Sequence, residues 1–200
     1  MYVEILRDPA FFVLLSRIDE EFAAQARREG CRHCSGPLHV SDFPRKPRGC
    51  PASVVEEYSW RFSFTCGHCE RRTTSQSVRF VSRRIYVAVV LMLSSPPQGR
   101  AAQSLRDQLS IPARTVQRWR KWWTSDFLRT PFWQAMRKRF MPPLAGEQLP
   151  ASLLDRFDAA DPCQRLIQAL RFVSPRVQGA ALTLARSPRL LLPSLRHPHR

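Results

Sequence analysis

Apolar positions along this 200-residue chain change period several times, and each change marks an element. Residues 9–29 place Phe12, Leu15, Ile18 and Phe22 at helical spacing with acidic residues in the middle, which predicts an amphipathic helix packed on the strand-bearing segment 31–82 or on a second copy. Residues 58–65 and 73–81 are rich in Thr, Val, Phe, Tyr and Trp and read as strands. Between 42 and 54, Pro44, Pro47, Pro51 and Gly49 alternate with Arg45, Lys46 and Arg48, which predicts an irregular basic loop rather than a strand. Residues 83–94 form an apolar helix candidate on Ile85, Val89, Val90 and Leu93, too short to span a membrane. After a Ser-Ser-Pro-Pro-Gln-Gly break, residues 101–109 read as a short helix, Ser110-Ile111-Pro112 as a turn, and 113–127 as a second helix.

Beyond that point, residues 131–140 predict a helix with Phe132, Trp133 and Met136 inward and Arg137, Lys138 and Arg139 outward. Residues 151–173 predict two short helices parted near Asp161-Pro162, with Leu153, Leu154, Phe157, Leu166, Ile167, Leu170 and Phe172 as apolar positions. Repeated Pro and Arg after 174 read as a basic, disordered tail.

Two Cys-x-x-Cys pairs, Cys31/Cys34 and Cys66/Cys69, add chemistry to this pattern. Two residues between cysteines let one tight turn aim both sulfurs at a single ion, and two such turns complete a tetrahedron, the arrangement of a zinc ribbon. Gly67, inside the second turn, is where a left-handed backbone would cost least. The 31 residues between the pairs exceed the more usual spacing of about 15 to 20, and the basic loop accounts for the excess. A disulfide framework fits poorly, because residues 1–17 lack a signal-peptide layout. A thioredoxin-like redox motif would need only one pair in a βαβ setting. Four thiolates leave no open position for water, so the expectation is one structural zinc rather than a catalytic one. His33 and His68 are second-choice ligands, and Cys50 and Cys163 are expected as unpaired buried thiols.

Charge indicates the partner. Lys and Arg number 32 against 16 Asp and Glu, a net charge of +16 that favours polyanions. Only Lys46, Lys121 and Lys138 are lysines, so an arginine-rich codon bias contributes. The distribution argues for more than bias: residues 83–139 hold twelve basic groups against Asp107 and Asp126, whereas residues 1–30 carry six acids and four bases. On the 113–127 helix, Val116, Trp119, Trp123 and Phe127 fall on one arc and Arg114, Gln117, Arg118, Lys121 and Ser125 opposite it, with Trp122 at the boundary. Arginine matches guanine and glutamine matches adenine in the major groove, so Arg114, Gln117, Arg118 and Lys121 are the candidate contacts to double-stranded DNA, with Arg45, Lys46 and Arg48 on phosphates.

The run Arg-Thr-Val-Gln-Arg-Trp-Arg-Lys-Trp-Trp at 114–123 resembles the recognition helix of insertion-sequence transposases and related mobile-element proteins. The cysteine pairs upstream are similar to the ribbons that precede such helices. Residues 43–49 and Arg71-Arg72-Thr73-Thr74 further resemble small bacterial proteins found near transposons and integrases, so that the likeness spans residues 30–140. It implies a transposon-associated accessory factor or regulator, with a transposase or integrase as partner; because one recognition helix alone binds weakly, the two-fold pairing common among helix-turn-helix proteins makes a homodimer the expected binding unit. Catalysis does not carry over, because the acids are sparse and mostly amino-terminal, whereas two-metal nucleases gather carboxylates from several strands.

The expected fold is α+β, mainly α: an N-terminal helix (1–30), a small antiparallel zinc ribbon (31–82), a three-helix helix-turn-helix domain (83–140), a helical segment (141–174) and the tail (175–200). The expected location is the bacterial cytoplasm, associated with the nucleoid and without a membrane. The alternative reading is an RNA-binding or RNA-polymerase-associated ribbon that presents Tyr58, Trp60, Phe62 and Phe64 as a surface.

Overall fold

A computed structural model of the chain describes residues 2–45, 49–82, 85–86 and 100–174. The protein is mixed α and β, mainly helical, with a small antiparallel sheet. Helix α1 (Tyr2–Ile5) leads into the long α2 (Pro9–Glu29), whose bounds are those that the periodicity predicts. Asp8 opens α2 by accepting the Ala10 amide at 2.9 Å, with Pro9 in the first turn, where no amide hydrogen is needed. Gly30 closes it at φ 75°, a left-handed angle that favours glycine, and delivers the chain to Cys31.

Strand β1 (Leu38–Val40) pairs antiparallel with β4 (Ser63–Cys66), which pairs in turn with β5 (Arg72–Thr74). Two shorter ladders flank this sheet. β2 (Phe43–Pro44) pairs with β3 (Trp60–Arg61), and β6 (Phe80–Ser82) with β7 (Ile85–Tyr86). The segment expected as loop therefore begins as a strand, with Pro44 at an edge where its missing donor is tolerated, and ends in a 3-10 turn (Ala52–Val54) and the short α3 (Val55–Tyr58). Tyr58, expected in a strand, closes α3 instead. The helix expected from residue 83 is contradicted at Ile85–Tyr86, which form β7; residues 83–84 and 87–94 lie outside the described residues, as do Lys46 and Arg48 and the expected tail.

Residues 75–79 interrupt the expected 73–81 strand because they wrap an ion pair. Asp19 of α2 and Arg79 are both fully buried, with Nε 2.7 Å from Oδ2. The Val78 amide and the Ser77 hydroxyl also donate to Asp19. Burial pushes the Asp19 carboxyl up, against the pull of Arg79 and these hydrogen bonds. The rest of the guanidinium donates to the carbonyls of Tyr58 (3.2 Å), Trp60 (2.9 Å) and Glu57 (3.4 Å) and to the Ser16 hydroxyl (3.3 Å), and lies near the rings of Tyr58, Phe62 and Phe80. One arginine thus ties α2, the end of α3, β3 and β6.

Helix α4 (Arg100–Gln108) precedes α5 (Ala113–Lys121), as expected. The continuous helix anticipated to Phe127 instead passes into a π turn at Trp122–Asp126 and a 3-10 turn at Phe127–Arg129. The Thr124 and Ser125 hydroxyls bond to the carbonyls of Arg120 and Lys121 and compete for the acceptors that a regular helix would use. The expected packing arc survives this change: Val116, Trp119, Trp123 and Phe127 are buried, and the Trp123 and Phe127 ring centroids are 4.6 Å apart. α6 (Pro131–Met136), α7 (Ala151–Leu154) and α8 (Pro162–Val173) complete the helical part. Their inward residues Trp133, Leu153, Leu166 and Leu170 join those of α2 and α5 in one large apolar cluster. A second, small cluster joins Ala23 of α2 to Leu38, Phe64, Cys31 and Cys66, so α2 packs on both.

Candidate metal centre and basic helix face

The two cysteine turns are built alike. In the first, Ser35 N–H donates to the Cys31 carbonyl (2.8 Å), Cys31 N–H to the Gly36 carbonyl (2.9 Å) and His33 N–H to Cys31 Sγ (3.4 Å). In the second, Glu70 N–H donates to the Cys66 carbonyl (3.0 Å), Cys66 N–H to the Arg71 carbonyl (3.0 Å) and His68 N–H to Cys66 Sγ (3.4 Å). The left-handed residue follows the second cysteine in each, Ser35 at φ 56° and Glu70 at φ 57°. Gly67 does not take the left-handed angle expected of it. Its role is space: a Cβ there would lie 2.7 Å from the His39 ring, and one at Gly36 would lie 2.7 Å from the His68 ring and 3.1 Å from Cys66 Sγ.

Pairing of β1 with β4 sets Leu38 opposite Cys66 and brings the turns together. The four sulfurs lie within 4.8 Å of one another, with Cys31–Cys69 at 3.5 Å and Cys34–Cys66 at 3.4 Å. Tetrahedral thiolates about 2.3 Å from a zinc ion stand about 3.8 Å apart, so these four cysteines fit and could hold a metal ion. Amides prepare the sulfurs unequally. The Cys69 N–H leads in lowering the Cys66 thiol to about 6, and the His33 N–H leads in lowering Cys31. At Cys34 the Gly36 amide also favours the thiolate, but the neighbouring Cys66 and Cys69 sulfurs outweigh it and raise the thiol to about 12. His33 and His68 are exposed and stand outside the cluster, His33 Nδ1 lying 3.2 Å from Arg71. Cys50 and Cys163 are half-buried rather than buried, and desolvation raises both thiols, Cys50 to about 11.

The second candidate surface starts at the end of α4. Ser110, at φ 52°, donates its N–H to the Asp107 carbonyl (3.1 Å), and Ile111 donates to Arg106 (2.9 Å), the paired bonds of a Schellman stop. Ile111 is buried, and Pro112 then turns the chain into α5. Arg114, Gln117, Arg118 and Lys121 are all exposed, opposite the buried Val116 and Trp119, and Trp122 is half-buried at the boundary as expected. The Arg118 guanidinium donates to Thr115 Oγ1 at 3.4 Å. Arg45 is half-buried with its guanidinium 4.4 Å from the Phe43 ring centre. The aromatic surface of the RNA-binding alternative is not assembled, because Tyr58 and Phe64 are buried and Trp60 alone of the four is exposed.

Sequence reasoning missed the Asp19–Arg79 pair and the left-handed Ser35 and Glu70. A signal existed for Asp19, which stands four residues after Leu15 on the apolar stripe of α2. None existed for Arg79 in a Ser-rich run. No helix among the described residues is long and apolar enough to cross a membrane. No protein-family model, curated protein or solved structure matches the chain.

Proposed function

We propose that this chain is a zinc-ribbon and helix-turn-helix protein that binds duplex DNA, has no catalysis of its own, and serves a mobile element as accessory factor or transcriptional regulator. One zinc on Cys31, Cys34, Cys66 and Cys69 fixes the two turns and the sheet between them. α5 enters the major groove, Arg114 and Gln117 reading base edges while Arg118 and Lys121 take base edges or phosphates. Arg45, Lys46 and Arg48 hold phosphates. The observation that carries the reading is the division of α5, after a sharply stopped α4, into a buried Val116/Trp119 side and an exposed face of three cations and one amide. A single helix of nine residues offers few base contacts, so two copies acting on two half-sites, or a transposase or integrase alongside, complete the proposal.

Selection of preferred duplexes from a random pool, repeated with Arg114→Ala and Gln117→Ala, tests it. Each variant is expected to lose discrimination of about 1–3 kcal/mol at one base pair of the preferred site. Unchanged preference in both variants would reject α5 as the reading element.

A further inference from the structure

The solvent side of the cysteine-bearing sheet brings basic side chains together. In the β1–β4–β5 register His39 lies opposite Thr65 and Thr65 opposite Arg72, so the three share a face, and His39 and Arg72 are exposed. One terminal nitrogen of Arg72 donates to both the carbonyl (3.1 Å) and the hydroxyl (2.8 Å) of Ser41, which fixes the guanidinium. It lies 5.1 Å from the centre of the Phe43 ring, and the Arg45 guanidinium lies 4.4 Å from the same centre. Among the described residues neither guanidinium has a carboxylate partner. Asp42, beside Phe43 in sequence, accepts the Ser63 amide at 2.8 Å.

Both guanidiniums lie against one ring, and a polyanionic backbone passing it meets two charge-assisted donors. We propose that Arg45 and Arg72, aligned by Phe43 and Ser41, form a clamp for the phosphate backbone of duplex DNA. This rests on the DNA-binding reading above, in which Arg45 already takes a phosphate, and adds to it Arg72 of β5 as the second donor, remote in sequence from α5. The clamp sets affinity and register and leaves base choice to α5, because phosphates carry no sequence information.

The test measures affinity for a preferred and a random duplex across about 50 to 200 mM salt, using the full chain, Arg45→Gln/Arg72→Gln and Arg45→Lys/Arg72→Lys, each checked for native circular dichroism. Each lost phosphate contact lowers the slope of log affinity against log salt by about 0.9, so the Gln pair is expected to flatten it by about 1.8, equally on both duplexes. The Lys pair, which keeps two point charges, is expected to retain the wild-type slope. A Gln pair with the wild-type slope, on a duplex that the wild type binds, would overturn the clamp and leave the α5 reading standing. Equal flattening by the Lys and Gln pairs would also overturn it, because the slope counts neutralised phosphates and the Lys pair keeps both charges. A wild-type chain without duplex binding would overturn both readings.

Discussion

Replacing Asp19 with Ala leaves the Arg79 guanidinium fully buried with carbonyls and a hydroxyl but no anion, and strips the Val78 amide and Ser77 hydroxyl of their acceptor. Removing one partner of a buried pair costs about 3–5 kcal/mol, against about 5–15 kcal/mol for the stability of a whole domain. Arg79→Met is expected to cost a similar amount, since it strands a buried carboxylate. The double variant should be less destabilised than the two singles together by at least about 2 kcal/mol, because neither charge then remains unpaired. Urea unfolding followed by circular dichroism reads this directly. With a slope of about 2 kcal/mol per molar, each single variant should unfold about 2 M earlier than wild type. Singles within about 1 kcal/mol of wild type, or strictly additive effects in the double, would refute the claim that this pair ties α2 to β3 and β6.

Three further substitutions follow from backbone geometry. Ser110→Gly relieves a left-handed angle that costs a non-glycine residue about 1–2 kcal/mol, partly offset by glycine's greater freedom when unfolded, so a gain of about 0.5 kcal/mol in urea unfolding is expected. Gly36→Ala places a methyl 2.7 Å from the His68 ring and 3.1 Å from Cys66 Sγ; it should weaken zinc retention at least several-fold in a chelator competition, whereas Ser35→Gly at its left-handed neighbour should not.

The parts legible in sequence are those that periodicity and spacing encode. α2 shows its bounds because Asp8-Pro9 and Gly30 bracket a long apolar stripe. The cysteine cluster shows because the Cys-x-x-Cys spacing dictates the turn. The stop between α4 and α5 is marked by Ser110-Ile111-Pro112, although nothing in the sequence says that Ser110 takes the left-handed angle itself. The two-residue strands of β2 and β7 are too short to carry any period, so Phe43–Pro44 reads as loop and Ile85–Tyr86 as the start of a helix. Arg79 escapes because a charged residue is expected outside, and only the tertiary fold brings Asp19 and three backbone carbonyls to it. The π turn escapes because it depends on where hydroxyls bond, not on which residues are apolar.

The most direct measurement is a competition between duplex DNA and single-stranded RNA of equal length for the purified full chain at physiological salt, with bound zinc quantified before and after a chelator. The account predicts one zinc per chain and a duplex preference of at least about tenfold that disappears with the metal. Equal affinity for the two nucleic acids, unchanged by chelation, would contradict it.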